Sequence, residues 1–344
     1  ADRDAQPPLD AFVPLCVLSM NVGLLDRWYP FAVVRVPQVD TRRERAPLEL
    51  LADGWDVLLL QEVWERRDVD LFVEQARARG YLHYAGSDEE HEAHGLLILV
   101  REALVDPAGP DERRETTYEL QREIEEFPGP GFRRGFLSWR FRHAPTGVVI
   151  DLFDDHTTAF PELSAIRDAQ ARELGLAIRE VPDDELVIAA GDFNAAPYYP
   201  HDEFGEVDGQ RQRGWWRNTQ SYALVLHYGE LVDTFAAAGQ ARDVELLDDL
   251  PPFGPEYARE PIGDRSRCEA LVRALTATDC NSLYFEQYAA TEYPARLDFV
   301  FYRDASGLAR VLDSAIEYTE PLGSESFELS DHYGVGTTLL VSDR

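Results

Sequence analysis

Leu186-Val187-Ile188-Ala189-Ala190 is an unbroken apolar run that stops at Gly191 and gives way to Asp192-Phe193-Asn194. A run without alternation describes a strand covered on both faces. Further apolar strands are expected at 15–22, 56–63, 95–100, 148–153, 297–302 and 333–341, with an alternating one at 136–141. Helical spacing intervenes at 42–52, where Pro47 is placed early enough to be tolerated, at 68–79 and at 264–275. The clearest helix is 162–179, whose apolar face carries Leu163, Ile166, Ala169, Leu174, Ala177 and Ile178. Interleaved helices and doubly covered strands specify an α/β layered fold, two packed sheets with helices outside. Residues 1–14 are read as an N-terminal arm, 24–41 as an irregular loop, and 105–134 and 197–220 as long excursions.

The polar residues that end these strands carry the chemistry. Asn21, Glu62, His156, Asp192, Asn194 and His332 all stand where an apolar strand ends or begins, and Asp298 lies inside one. Each has a plain alternative taken alone: an Asx turn for Asp192 and Asn194, a solvated strand end for Glu62, a turn former for Asn21, a loop cap for Asp331-His332. Asp298, between Leu297 and Phe299, needs a partner if it is buried. Layered α/β folds gather ligands at strand ends, where several strands each deliver one group. Asp192 and Asn194, two apart, point the same way if the backbone there is extended. Carboxylates and amides without a cysteine favour a hard cation, Mg²⁺ or Mn²⁺, with Glu62 as the best single ligand. Asp298 and His332 suggest a general base oriented by a buried acid. Because the set runs from Asn21 to His332, one site would make residues 15–344 a single catalytic domain.

The charge sets limits on partners. There are 33 basic and 64 acidic residues, net −31, and the chain contains no lysine, so every Lys/Arg cation is Arg. Such self-repulsion is a pattern of salt-adapted proteins and works against non-specific nucleic-acid binding. No run of about 18 apolar residues occurs. The chain starts at Ala1 without a signal peptide, as a processed secretory precursor would. Cys16, Cys268 and Cys280 show no metal spacing; Cys268 and Cys280 could pair, leaving Cys16 buried in a strand.

In order, Met20-Asn21-Val22, Leu60-Gln61-Glu62-Val63, His94-Gly95-Leu96-Leu97-Ile98, Asp155-His156-Thr157, Gly191-Asp192-Phe193-Asn194, Leu297-Asp298-Phe299-Val300 and Ser330-Asp331-His332-Tyr333 resemble the blocks of the endonuclease/exonuclease/phosphatase superfamily. The resemblance covers nearly the whole chain and implies a four-layer α/β/β/α sandwich of two mixed sheets, DNase-I-like. Within that superfamily Thr276-Ala277-Thr278-Asp279-Cys280-Asn281-Ser282, with Tyr293-Pro294-Ala295-Arg296-Leu297-Asp298-Phe299, is most similar to bacterial neutral sphingomyelinase C. Arg134-Gly135-Phe136 resembles a Lys-Gly-Phe of the same group.

Carried over by position, the resemblance implies Glu62 as principal metal ligand with Asn21, Asp192, Asn194 and Asp331 beside it, for one or two ions of Mg²⁺, or Mn²⁺, Co²⁺ or Ca²⁺. His332 would activate water, Asp298 would orient it, and His156 would stabilise or protonate the leaving side; Asp192 and Asn194 would hold water or phosphate oxygens. Asp155, next to His156, is expected to raise that histidine's pKa. Trp215 and Trp216, flanked by Arg211, Arg213 and Arg217, stand as a membrane contact, or else pack on their own domain. The implied enzyme is a secreted or extracytoplasmic monomer acting on a phospholipid at a membrane surface; the alternative setting is the cytoplasm of a salt-adapted organism. A nuclease of the same fold is opposed by the charge. An inositol-phosphate phosphatase is suggested by Pro294-Ala295 but lacks an Arg after Asp298, and a non-catalytic binding module would not need the full set.

Overall fold

The apolar runs are unbroken because each central strand faces a second sheet on one side and helices on the other. The computed structural model describes residues 12–29, 32–86, 94–121, 133–159, 163–197, 204–207, 210–212, 216–240, 265–288 and 294–342. Along the chain run β1 (Phe12–Asn21), a hairpin of β2 (Asp26–Tyr29) and β3 (Ala32–Arg35), α1 (Val39–Ala52), β4 (Val57–Gln61), α2 (Arg66–Ala78), β5 (Tyr81–Tyr84), β6 (Leu97–Arg101) and β7 (Asp111–Thr117). Then follow β8 (Gly135–Arg142), β9 (Val149–His156), α3 (Ser164–Arg179), β10 (Leu186–Asp192), a hairpin of β11 (Phe204–Val207) and β12 (Gln210–Gln212), and α4 (Trp216–Gly229). The remaining elements are β13 (Val232–Asp233), α5 (Thr234–Ala237), α6 (Arg265–Leu271), α7 (Ser282–Tyr288), β14 (Asp298–Arg303), β15 (Ala309–Glu317) and β16 (Gly334–Ser342).

Two mixed six-stranded sheets result, β15-β16-β1-β4-β6-β5 and β13-β14-β10-β9-β8-β7. Alternate residues of each strand serve different layers. Leu15, Val17, Leu59 and Ile98 meet Trp139, Leu152, Ile188 and Val300 between the sheets. Leu18, Met20, Leu58 and Leu60 turn outward to Leu50 of α1 and Phe72 of α2. Val187, Ala189 and Phe301 turn outward to Leu174 and Ile178 of α3 and Val225 of α4. The layers are therefore α/β/β/α, as expected.

Several local expectations need correction. β1 starts at Phe12, inside the stretch read as an arm, because Phe12 and Val13 pair with Ser342 and Val341. The loop at 24–41 contains the β2–β3 hairpin, tied at its base by the Asp26–Arg35 ion pair. α1 begins before Arg42, which puts Pro47 in its interior. The excursion at 105–134 holds β7, whose sequence DERRETT hides it: it is an edge strand, and charge on an edge discourages pairing with another chain. β5 and β15, also at or near an edge, were without an apolar run to mark them. Cys268 and Cys280 form a disulfide, while Cys16 is half-buried and sits near Thr338.

The approach to β14 is pinned by a buried charge pair. Arg296 reaches Asp233 through both guanidinium nitrogens, Nη1–Oδ1 at 3.2 Å and Nη2–Oδ2 at 2.8 Å. Its guanidinium lies between the rings of Phe235 and Phe299, at 4.6 and 4.5 Å. Replacing Arg296 by Met leaves the buried Asp233 carboxylate its hydrogen bonds from Tyr222, Phe235 and Ala236 but no counter-charge, and removing one partner of a buried pair costs about 3–5 kcal/mol. Urea unfolding of Arg296→Met should show that loss as a lower midpoint at unchanged slope.

Candidate active site

β1 runs parallel to β4, and β9 parallel to β10, so four strands finish at one end of the sandwich. β14 is antiparallel to β10 and β16 to β1, so their N-terminal ends lie there as well. Asn21, His156 and Asp192 are the last residues of β1, β9 and β10; Asp298 is the first of β14. Asp192 is in register with both His156 and Asp298. The topology thus gathers residues that are far apart in sequence.

Asp192 is the centre of the group. Asn21 Nδ2 donates to its Oδ2 at 3.0 Å, bridging the two sheets, and the backbone N–H of Asn194 donates to its Oδ1 at 2.9 Å. His156 Nε2 lies 3.4 Å and His332 Nδ1 4.0 Å from Oδ2. Burial pushes the Asp192 carboxyl up to about 6, with Asp298 adding to the effect and His332 opposing it. Gly191 makes the approach possible: at φ +153°, a Cβ there would sit 2.0 Å from the Asp155 carbonyl oxygen. Asn194 does not share a strand face with Asp192. The strand has ended, Asn194 is left-handed at φ 46°, and the bond to Asp192 Oδ1 is an Asx turn. The turn and the site are one geometry.

His332 Nδ1 meets Asp298 Oδ2 at 2.8 Å. Burial alone would lower the pKa of this histidine; Asp298, Asp192 and Asp331 outweigh it and raise it well above the ordinary range. The stretch from Thr276 secures the pair. Thr276 Oγ1 accepts from the N–H groups of Leu297 and Asp298 at 2.9 and 3.2 Å, and its carbonyl accepts from Tyr333 N at 2.8 Å. Asn281 Nδ2 donates to the Ser330 carbonyl at 2.8 Å.

Glu62 and Asp331 form the second cluster of negative charge. Glu62 follows β4 in left-handed backbone at φ 60°. Burial and then Asp331 push its carboxyl up to about 7. Gly23 leaves the space for Asp331: a Cβ there would fall 2.2 Å from Asp331 Oδ1. Arg42, fully buried, lies behind both acids, donating to the carbonyls of Pro37, Val22, Leu329 and Gly23.

His156 departs from expectation. Its pKa is lowered well below the ordinary value, first by burial and then by Arg134 and His332. Asp155 does not raise it, because that side chain is engaged by Tyr118. Arg134 Nη1 lies 2.7 Å from His156 Nδ1. Arg134 and Arg42 are site residues that sequence reading left without a role. Their signals were present: Arg134 opens the Arg-Gly-Phe motif, and Arg42 falls on the helical face of Val39, Ala46 and Leu50. Trp215 lies outside the described residues, and of Trp216 only the backbone, as the start of α4, is described. A cleft of about 520 Å³ opens elsewhere, beside β7, β8, β9 and α3, lined by Glu112, Arg140, Asp151 and Phe153 among others.

A divalent cation fits these residues. Asp192, Asp298 and His332 present ligand atoms within 4.8 Å of one another. Asp298 Oδ1 is buried without a hydrogen-bond partner among the described residues. Since His332 Nδ1 is already committed to Asp298, the acids best disposed for a hard cation are Glu62 and Asp331, whose charges repel each other.

The sequence matches the Endonuclease/Exonuclease/phosphatase family over residues 38–332. No functionally curated protein sequence matches it. Among solved structures it is similar to D. rerio TDP2 complexed with single strand DNA product, at 20% identity, TM-score 0.61, covering 95% of this chain and 98% of that one. It is similar to C. elegans TDP2 at 16% identity and TM-score 0.59, covering 98% of this chain and 77% of that one. SmcL matches at 16% identity and TM-score 0.55, over 96% and 99% of the two chains. At these identities the likeness is one of fold.

The crowded acids make a pH signature. Glu62 is protonated up to about pH 7 in the metal-free fold and only to its ordinary 4.5 when unfolded, so the unfolded chain binds fewer protons between these values. Metal-free stability should therefore fall as pH rises from about 4.5 through about 7. Thermal melts with and without Mg²⁺ should diverge over the same window, since a ligand carboxyl must lose its proton to bind. A Glu62→Gln variant should lose this component of the divergence.

Proposed function

The chain belongs to the endonuclease/exonuclease/phosphatase family, and from that membership we propose that it is a Mg²⁺-dependent phosphodiesterase of the sphingomyelinase C type, cleaving sphingomyelin to ceramide and phosphocholine. The observation that carries the hydrolytic part is the His332–Asp298 pair, 2.8 Å apart at the strand ends beside Asp192. Asp298 holds the Nδ1 side of His332, leaving Nε2 to take a proton from water as the oxygen attacks phosphorus in line with the departing alkoxide. Asp298 also stabilises the imidazolium that results. Asn21 fixes Asp192, Asn194 is held in its turn by Asp192 and by the Thr157 carbonyl, and both present polar groups to the phosphoryl oxygens. His156 adds a hydrogen bond on the leaving side. Glu62, with Asn21 and Asp331, would hold Mg²⁺, which when bound neutralises charge on the phosphoryl group and offsets the acids that keep His332 protonated.

The choice of sphingomyelin rests on the Thr276–Asp298 stretch, and its support is that Thr276 and Asn281 are hydrogen-bonded into the loop and strand bearing His332 and Asp298. The reading includes one catalytic domain, a monomer working at a phospholipid surface, and a secreted or extracytoplasmic setting. A nuclease is the second reading, favoured by the likeness in fold to D. rerio TDP2. The −31 net charge and absence of lysine weigh against it, since nucleic-acid affinity draws on cations meeting phosphates.

Purified protein in high salt with Mg²⁺ would be offered sphingomyelin, phosphatidylcholine, plasmid DNA and inositol phosphates. Phosphocholine release from sphingomyelin, abolished by EDTA and by His332→Ala, is the expected result. Asp298→Asn should lower kcat on the order of 10²–10⁴-fold with little change in KM. Plasmid nicking without lipid turnover would replace the lipid reading with the nuclease.

A further inference from the structure

We propose that Arg134 is a positioning residue that holds His156 as the neutral imidazole with its proton on Nε2. His156 then acts on the phosphoryl group as a hydrogen-bond donor and not as the acid that protonates the leaving oxygen. The catalytic part of this inference rests on the phosphodiesterase reading above.

A guanidinium has five N–H donors and no acceptor. With Arg134 Nη1 at 2.7 Å, His156 Nδ1 must offer its lone pair, and the ring's one proton is then on Nε2. That nitrogen is the one directed into the site, 3.4 Å from Asp192 Oδ2. An imidazolium would set an N–H on Nδ1 against the guanidinium at the same 2.7 Å. A proton donated from Nε2 and replaced at Nδ1 therefore has no route while Arg134 is in place.

Arg134 is not a surface arginine that happens to lean inward. Its backbone is clamped by Gln121, whose Oε1 accepts from Arg134 N at 2.8 Å and whose Nε2 donates to Arg134 O at 2.8 Å. The guanidinium carbon lies 5.3 Å from the centroid of Trp64, and the Trp64 and His156 rings are 6.3 Å apart. Trp64 in turn fits because residue 95 is glycine: a Cβ there would meet Trp64 Cε3 at 2.6 Å. Gly95, Trp64 and Arg134 thus form a line of contacts that ends on one ring nitrogen. Lysine, a point charge without the planar fork, would not reproduce both the stacking and the hydrogen bond.

The tautomer can be read directly. Long-range ¹H–¹⁵N spectra of histidine-labelled wild type, with the His156 signals identified by their loss in His156→Asn, should show an Nε2–H imidazole. An Nδ1–H tautomer or an imidazolium at neutral pH overturns the proposal without any variant of Arg134. Kinetics with bis(p-nitrophenyl) phosphate and Mg²⁺ test the consequence. Arg134→Gln should lower kcat on the order of 10²-fold at nearly constant KM, the effect of losing one oriented donor. Arg134→Lys should recover part of it. The double variant Arg134→Gln/His156→Asn should be no slower than His156→Asn, because a residue acting through another adds nothing once that one is gone. Losses that multiply would mean that Arg134 works independently of His156, and the positioning role would be wrong. Wild type that turns over neither this diester nor sphingomyelin would overturn the hydrolase reading, while the spectra would still decide the tautomer.

Discussion

One buried carboxylate, Asp192, holds the site together, and the rest of the arrangement is built to let it stay there. It receives Asn21 from the other sheet, the backbone of Asn194, and the near approach of two histidines. A carboxylate this buried survives as an anion only with such partners. Their supply fixes much of the fold: the parallel pairings that bring β1, β4, β9 and β10 to a common end, and the glycine at 191 that lets β9 and β10 close up beside it. The acids at Glu62 and Asp331 extend the same problem, since their mutual repulsion remains until a cation or a proton relieves it.

The composition shows how a strongly acidic chain staffs such a site with positive charge. Without lysine, the counter-charges at depth are guanidinium groups: Arg42 behind Glu62 and Asp331, Arg134 on His156, Arg296 on Asp233. Arg42 and Arg296 use the directional fork of arginine to bind several acceptor atoms at once, and arginine keeps its charge where burial would strip a proton from lysine. The surplus of acids across the sequence and the economy of buried cations are compatible because the latter are spent on backbone carbonyls and single functional groups.

Much of the fold was legible because the central strands are apolar on both faces, a pattern with few structural meanings. The polar strand ends were legible as a group: Asn21, Glu62, His156, Asp192, Asn194, Asp298 and His332 do meet, though Asn194 arrives by a turn and not by strand alternation. What escaped reading was peripheral or conditional. β7 carries charge because it is an edge, and the β2–β3 hairpin has no apolar period. The state of His156 could not be read from Asp155 beside it in sequence, because adjacent strand residues face opposite ways and the controlling group, Arg134, comes from the neighbouring strand's entrance. Sequence proximity was the wrong guide there; register was the right one.

The site's dependence on β16 has a temporal side. β1 is paired from Phe12 to Ser19 with β16, and His332 lies just ahead of that strand, so in synthesis this histidine follows every other member of the cluster. At synthesis rates of about 5–20 residues per second, Asn21, Glu62, Asp192 and Asp298 are all made seconds or more before His332. In the folded sheet β1 has β4 on one side and β16 on the other, so without β16 that second edge would be open. Closing the edge of β1 and delivering His332 to the cluster therefore depend on one and the same strand pairing.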